Sequence, residues 1–327
     1  MMVSDSSHGH PASAYGKKVA VLLPCYNEEL TIGKVVSDFR KSLPDAVVYV
    51  FDNNSNDCTA AFAAEAGAVV VPSRMQGKGY VVKHMFREVE ADIYVMADGD
   101  DTYSADRAPE LIRVLEESDA DMVVATRLEE RDQKALRSLH LFGNKAISKL
   151  ISTLFSSPVT DVLSGYRAFN KHFVKTLYLK SGGFEVETEM TLQALIRNCV
   201  LIEIPIRYSS RPSGSVSKLN TFSDGLNILK SVFLIFRDYK PLVFFSCLST
   251  ACLIAGLLAG RYPITDYLTT RFVSHVPLAL LATALIILSA LFFGIGLILK
   301  AISGYHLESQ ELIGNLFRLM SRRRKND

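Results

Sequence analysis

Ile93-Tyr-Val-Met-Ala97 is a short apolar run that stops on Asp98-Gly-Asp-Asp101, with Thr102 and Tyr103 following. A run of this length bounded by Gly and Asp reads as a buried β-strand delivered into a loop, since a helix shows a longer periodic pattern. The same grammar recurs upstream. Val19–Leu23 stops at Pro24-Cys-Tyr-Asn-Glu28, and Val47–Phe51 stops at Asp52-Asn-Asn-Ser-Asn-Asp57. Residues 68–71 and 122–125 supply two more apolar strands, while 31–42, 59–66, 79–90 and 109–117 carry helical patterns between them. Strands alternating with helices of about ten residues predict βαβ units, hence an α/β fold with a mainly parallel sheet and flanking helices. In such sheets ligands lie beyond the carboxyl ends of the strands. Asn27, Glu28, Asp52, Asp98 and Asp100 all fall at those ends, which makes that edge the candidate functional site.

The familiar nucleotide motifs are missing. No GxGxxG follows the first strand, and Gly77-Lys78-Gly79 lacks the upstream glycine and the following Ser or Thr of a P-loop. A nicotinamide dehydrogenase and a P-loop NTPase are therefore not expected. Extended backbone sends alternate side chains the same way, so Asp98 and Asp100 can face one cation. Carboxylate oxygens are hard ligands that suit Mg²⁺ or Mn²⁺, which commonly bridge one or two carboxylates to substrate phosphates. Asp-Gly-Asp is equally ordinary turn chemistry, and the pair alone leaves both readings open.

The 327 residues carry 36 Lys and Arg against 34 Asp and Glu, a formal charge of +2, and 49% are hydrophobic. Near-neutrality argues against a nucleic-acid binder working through bulk positive charge, and the apolar share excludes a disordered chain. The mean hydropathy of +0.19 is nonetheless high beside 21% charged residues. Two uncharged windows, 241–260 (PLVFFSCLSTACLIAGLLAG) and 276–299 (VPLALLATALIILSALFFGIGLIL), account for it. A helix crossing a bilayer needs about 20 apolar residues, so two transmembrane helices are expected. Outside the windows about a quarter of the residues are charged, as in an ordinary soluble domain.

Lys230, Arg237 and Lys240 precede the first window, while Lys300, Arg318 and Arg322-Arg-Arg-Lys325 follow the second. Only Arg261 and Arg271 are the basic residues between them, so the positive-inside rule puts both termini and the body on the cytosolic side of the membrane. Residues 1–16 have no apolar h-region and are expected to form a disordered polar tail, not a signal peptide. The five cysteines are odd in number and include no CxxC pair, which suits reduced thiols better than a disulfide frame or a zinc site. Phe222, Leu226, Leu229, Phe233 and Phe236 make one apolar stripe at helical spacing, so residues 220–240 read as an amphipathic helix. It either packs on the sheet domain or lies in the membrane interface. Spans without charged residues argue against an ion or proton transporter.

Four motifs, PCYNE (24–28), VFDNNSND (50–57), MADGDDTY (96–103) and TDVLSGYRAF (160–169), stand in an order and spacing that resembles the GT-A glycosyltransferases of family 2. Within that family the chain is most similar to the polyprenyl-phosphate glycosyltransferases, the group of dolichyl-phosphate mannose synthase and its bacterial relatives. The resemblance covers residues 19 to 218, and the paired spans match the membrane-anchored bacterial branch. It implies a GT-A (Rossmann-like) catalytic domain over 17–219, a juxtamembrane helix over 220–240, spans at 241–260 and 276–299, and a basic cytosolic tail over 300–327.

Carried over by position, the resemblance implies that Pro24, Tyr26, Asn27, Glu28 and Asp98 line the nucleotide pocket and that Asp52 accepts a hydrogen bond from the base. A carboxylate pairs with a ring N–H of uracil or guanine alike, so Asp52 does not select between them. Asp98 and Asp100 would hold Mg²⁺ or Mn²⁺ and the donor diphosphate, with Asp100 and Asp161 as the catalytic carboxylates. Many relatives have Gln four residues after the first Asp, where this chain has Thr102, with Asp101 as an extra acid. Arg127 and Arg131 in TRLEER, and Arg211 and Lys218 in RPSGSVSK, would bind the acceptor phosphate, for which the planar Arg fork is suited. Asp161 reads as an acceptor-site or positioning residue, because a phosphate monoester with a second pKa of about 6 needs little help from a base.

The implied reaction is inverting transfer of a sugar from a nucleotide sugar to polyprenyl phosphate at the cytosolic membrane face. DGDDTY resembles the bacterial glucosyl and N-acetylglucosaminyl members of the group more than the mannosyl ones, and that resemblance implies a UDP-hexose donor, with GDP-mannose the alternative. The partners implied are the donor, the lipid phosphate and the bilayer, and no nucleic acid; self-association is left open, as is another membrane or glycan acceptor. A non-catalytic membrane adaptor is disfavoured by the intact pair Asp98 and Asp100.

Overall fold

The computed structural model describes residues 16–127, 147–149, 151–153, 155, 157–209, 211, 230, 233–234, 236–237 and 240–323. Arg131, Lys218, and Phe222, Leu226 and Leu229 of the expected amphipathic helix lie outside the described residues. The chain divides into two compact units, Met1–Ser231 and Val232–Asp327.

In the first unit the strands are β1 (Val19–Cys25), β2 (Val47–Asp52), β3 (Val69–Pro72), β4 (Ile93–Met96), β5 (Met122–Arg127), β6 (Arg167–Asn170) and β7 (Leu201–Ile206). The helices are α1 (Ile32–Ser42), α2 (Thr59–Glu65), α3 (Lys78–Glu88), α4 (Ala108–Glu117), α5 (Lys171–Thr176) and α6 (Val186–Ile196). They build one seven-stranded sheet in the order β3-β2-β1-β4-β6-β5-β7. All pairings are parallel except those of β6, which runs antiparallel to both β4 and β5. The mainly parallel α/β sheet read from the sequence is therefore present, with one reversed strand that the apolar pattern does not mark.

Alternation along each strand feeds two cores. Val19, Val21 and Leu23 of β1 pack with Ile32, Val35, Val36 and Phe39 of α1 and Leu111, Ile112 and Leu115 of α4. Ala20 and Leu22 face the other way, against Val81, Val82, Met85 and Phe86 of α3, Phe173 of α5 and Met190 of α6. Burial on both faces explains why the strands read as continuous apolar runs.

The reversed strand matters for function. Because β6 is antiparallel, its start lies at the sheet edge where its parallel neighbours end, with Arg167 paired to Met96 and to Val124. The segment Asp161–Tyr166, which leads into β6, is thereby brought to the same edge as Asp98 and Arg127.

The second unit contains α7 (Pro241–Thr270) and α8 (Val276–Arg323). Both are long and apolar enough to cross a membrane, judged by length and composition. The first expected window, 241–260, is shorter than the helix containing it, which continues through Pro263 to Thr270. Arg271, with a left-handed φ of 56°, ends it. The antiparallel pair meets along small residues. The Ser249 and Ser289 hydroxyls lie 3.0 Å apart, and a Cβ on Gly256 would stand 3.2 Å from the Ala282 carbonyl oxygen. A Cβ on Gly296 would stand 2.9 Å from the Phe245 Cβ. Small side chains let backbones approach closely where burial of apolar surface gives no driving force. Leu257, Leu258, Ile287 and Ile298 are exposed apolar side chains along the pair. Phe233 and Phe236 of the expected stripe pack edge-on against Phe244 of α7, at ring separations of 5.1 and 5.8 Å.

Candidate active site

The carboxyl edge of the sheet is assembled from loops that lock one another. After β1, the Asn27 N–H donates to Ser55 Oγ (2.9 Å) and Asn27 Oδ1 accepts from the Asn56 N–H (2.8 Å). The Glu28 N–H donates to Thr59 Oγ1 (2.8 Å). PCYNE and the turn after β2 are thus one unit. Asp52 ends β2 within it, and its Oδ1 is buried with no hydrogen-bond partner. A buried acceptor left unsatisfied carries a desolvation cost unless a ligand donor meets it.

Asn53 extends the scaffold. Its amide donates to the Ser73 and Met75 carbonyls, and its Oδ1 accepts from the Gly77 N–H at 2.8 Å. Gly77 has a φ of 128°, and a Cβ there would stand 2.3 Å from the Gly182 carbonyl oxygen; on Gly79 it would stand 2.4 Å from that of Ser181. Residues 180 and 181 are in turn pinned by Glu189 of α6, whose carboxylate accepts their N–H groups at 2.8 Å. Gly77-Lys78-Gly79 is therefore a close backbone contact that aims Lys78.

Lys78 is where the sequence reading missed a site residue. Its side chain is only 12% exposed and its ammonium stands 2.5 Å from both Asp98 Oδ1 and Glu187 Oε1. Burial by itself lowers its pKa, but Asp98 and Glu187 outweigh that and hold it well above the usual lysine range. Glu187 is a buried acid on α6. Buried polar side chains, Glu187 and Glu189 among them, are interspersed with apolar ones along this helix, so no periodicity singles Glu187 out.

Asp98 and Asp100 lie together at the end of β4, with side chains 27% and 4% exposed. Asp100 Oδ1 accepts from the Thr102 N–H (3.2 Å) and hydroxyl (2.5 Å), and Arg211 Nη2 stands 2.5 Å from Oδ2. Thr102 thus secures Asp100 directly. Burial and then the charge of Asp98 push the Asp100 carboxyl up, against the pull of Arg211. Asp101 turns away to Lys34 of α1, at 2.6 Å. Gly99 is needed for space, since a Cβ would meet Cys25 Sγ at 2.6 Å.

Asp161 is fully engaged with Arg127. Its Oδ2 accepts from the Arg127 N–H (3.1 Å) and Nε (2.7 Å), and its Oδ1 from Nη2 (2.7 Å). These hydrogen bonds keep Arg127 above its ordinary pKa despite burial. The guanidinium lies over the Tyr208 ring at 5.6 Å, and Tyr208 bridges to Tyr103 beside the acid pair. The structure thus brings Asp98, Asp100, Asp161, Arg127 and Arg211 to one edge, with Asp52 and the PCYNE loop next to them.

Among the described residues no group of three or more His, Cys, Asp or Glu could hold a metal ion by itself. Two carboxylates two positions apart in one loop, Asp98 and Asp100, are the set that Mg²⁺ or Mn²⁺ takes when substrate phosphates complete the shell. The residues fit a dication that arrives with a diphosphate.

The sequence model of glycosyl transferase family 2 matches residues 20–178. Glycosyltransferase AglJ of Haloferax volcanii is 31% identical over 299 residues, which cover 91% of this chain and 98% of that protein. The chain is a family 2 glycosyltransferase. It transfers a sugar from a nucleotide sugar. A dolichyl-phosphate hexose transferase of the same organism is 27% identical over 215 residues, covering 65% of this transferase and 92% of the relative. Among solved structures, glucosyl-3-phosphoglycerate synthase of Mycobacterium tuberculosis in complex with Mg²⁺ and UDP aligns with a TM-score of 0.57 at 20% identity. That alignment covers 68% of this transferase and 80% of the other chain. At that identity the likeness establishes the shared GT-A fold of the catalytic unit.

Proposed function

We propose that this transferase moves a hexose from a UDP-sugar to a polyprenyl phosphate at the cytosolic face of a membrane in which α7 and α8 anchor it, with inversion at the anomeric carbon. The observation that carries the reading is one edge that holds an acid couple, Asp98 and Asp100, beside two guanidiniums, Arg211 on Asp100 and Arg127 on Asp161. Such a site suits two phosphorylated substrates, one arriving with a dication and one without. The relative named as a dolichyl-phosphate hexose transferase supports a lipid-phosphate acceptor, and two helices of membrane-spanning length support the anchor.

In this reading Asp52 Oδ1 receives the base N–H, with Pro24, Tyr26, Asn27 and Glu28 around the nucleoside. Asp98 and Asp100 hold Mg²⁺ or Mn²⁺, which when bound supplies positive charge against the charge building on the departing diphosphate. Lys78, fixed from behind by Glu187, keeps Asp98 in place. Arg127, Arg211, Arg131 and Lys218 bind the acceptor phosphate. An oxygen of that phosphate attacks the anomeric carbon as the bond to the diphosphate breaks, so the electron pair leaves with UDP. The attacking oxygen is already largely anionic at neutral pH, with a second phosphate pKa of about 6. Both Asp161 oxygens are occupied by Arg127, so Asp161 orients the guanidinium and removes no proton. Rate comes from positioning and preset charge.

The test uses full-length protein in detergent with UDP-glucose, UDP-N-acetylglucosamine or GDP-mannose, Mg²⁺ or Mn²⁺, and undecaprenyl phosphate. The expected result is metal-dependent release of UDP that requires the lipid phosphate and yields a lipid-phospho-sugar. Turnover onto a lipid-free acceptor, with none onto undecaprenyl phosphate from any donor, would overturn it.

A further inference from the structure

The two carboxylates of the acid pair are neutralised in different ways. Lys78, on Asp98, is also tied to buried Glu187, and its backbone is wedged between Gly77 and Gly79 against residues 181 and 182. It cannot leave without stranding two acids. Arg211, on Asp100, comes from the segment after β7, and its side chain is 24% exposed. Thr102 already occupies Asp100 Oδ1 twice, so Oδ2, the oxygen that Arg211 holds, is the one through which Asp100 meets anything further. A dication on that oxygen and a guanidinium 2.5 Å from it are like charges competing for one acceptor.

We propose that Arg211 is an exchangeable counter-ion of Asp100: the dication that enters with the donor displaces it, and the released guanidinium becomes the ligand of the acceptor phosphate. The second half rests on the lipid-phosphate reading above. Binding of the metal–donor pair and of the acceptor phosphate are then coupled through one side chain, and linkage makes the coupling reciprocal. Lys78 does not take part in the exchange, because its second partner, Glu187, stays in the core whatever occupies Asp98. The donor side is thus armed before the acceptor side, and an acceptor phosphate meeting the site without the metal–donor pair finds Arg211 engaged.

The experiment measures Mn²⁺ binding by the loss of the free-ion EPR signal, on the full chain in detergent and without nucleotide. Wild type, Arg211→Met and Arg211→Lys are compared, each also in the Asp100→Asn background, and melting curves report folding. Removing a charge-assisted competitor should tighten Mn²⁺ binding about tenfold in Arg211→Met, with Arg211→Lys in between. The difference should vanish when Asp100 is Asn. Mn²⁺ affinity that is unchanged or weaker in both variants overturns the proposal, as does equal tightening in the Asp100→Asn background. If Arg211→Met does not fold, Arg211→Lys, which keeps the charge but not the fork, decides alone. A second arm measures undecaprenyl phosphate binding with and without Mn²⁺ and UDP. Wild type should bind it about tenfold tighter with them, and Arg211→Met should lose that gain. A Mn²⁺ effect through Asp100 together with no binding of undecaprenyl phosphate refutes the lipid acceptor and the hand-over, and leaves the counter-ion exchange standing.

Discussion

Gly165 gives the sharpest prediction, because its requirement is space alone. A Cβ built there would stand 2.7 Å from Asp98 Oδ2, 3.0 Å from Oδ1 and 3.1 Å from Cγ. Ordinary carbon–oxygen contacts begin at about 3.3 Å, so Gly165→Ala forces a separation of about half an ångström. Neither side yields easily. The Gly165 N–H donates to the Tyr103 hydroxyl (3.0 Å), and Ser164 Oγ donates to the Ala125 carbonyl (2.5 Å). Asp98 is held by Lys78 at 2.5 Å, and Lys78 by Glu187. A catalytic group has a tolerance of about 0.5 Å, and a misplacement of about 1 Å costs roughly a hundredfold in rate. Gly165→Ala should therefore lower turnover by about 10- to 100-fold, equivalent to about 1.4–2.7 kcal/mol of transition-state stabilisation. The overpacking should cost about 1–3 kcal/mol of stability. Initial rates of UDP release and a melting curve on the same preparation measure both. Gly33→Ala is the control: at the second residue of α1 its Cβ would meet nothing closer than 3.9 Å, and it should leave turnover unchanged. Turnover by Gly165→Ala within twofold of wild type, with an unshifted melting point, would refute the reasoning.

Three further substitutions probe the rest of the site. Asp100→Asn should abolish measurable turnover while the protein still sediments with membranes; near-normal turnover would remove Asp100 from the metal site. Asp52→Asn keeps the shape but loses the charge that would meet the base N–H, so the KM for the donor should rise about tenfold with kcat little changed, read from initial rates against donor concentration. Glu187→Gln removes one of the two acids on a buried ammonium, and breaking such a pair costs about 3–5 kcal/mol, so the melting transition should fall and kcat drop with it. An unchanged melting curve would show that Lys78 does not need its second partner.

What was legible in the sequence depended on whether a residue's role is local. Asp98 and Asp100 declare themselves because a short apolar strand ends on them, and the two hydrophobic helices because 241–260 and 276–299 hold no charge. The strands that supply the edge are local patterns too, within a residue or two of their observed ends. β6 is different. RAFN is a four-residue strand whose direction is set only by pairing with β4 and β5, and no periodicity encodes that. The reversal is what carries Asp161 to Arg127. Lys78 and Glu187 were missed for a related reason. They stand 109 positions apart in the chain, and Gly77-Lys78-Gly79 has meaning only against the 181–182 backbone that meets it. The extension of α7 past Arg261 to Thr270 was obscured because charge marks the end of an apolar window and not the end of a helix.

The near-zero net charge of the chain recurs at the site in a more informative form. Among the described residues, Lys78 stands beside Asp98 and Glu187, Arg211 beside Asp100, and Arg127 beside Asp161, so each of these four carboxylates has a cation next to it. With three cations against four acids the cluster keeps a small acid excess, and a bare anion or a bare dication entering it has to compete with an existing pair. In the proposed exchange, a dication that brings its own diphosphate displaces Arg211 from Asp100, and the guanidinium passes to the next phosphate. Pairing of each acid thus favours substrates that arrive as a neutralised set. It also explains why single substitutions in the cluster should hurt more than their own contacts suggest: each removes a partner from a group that stays behind, buried and uncompensated.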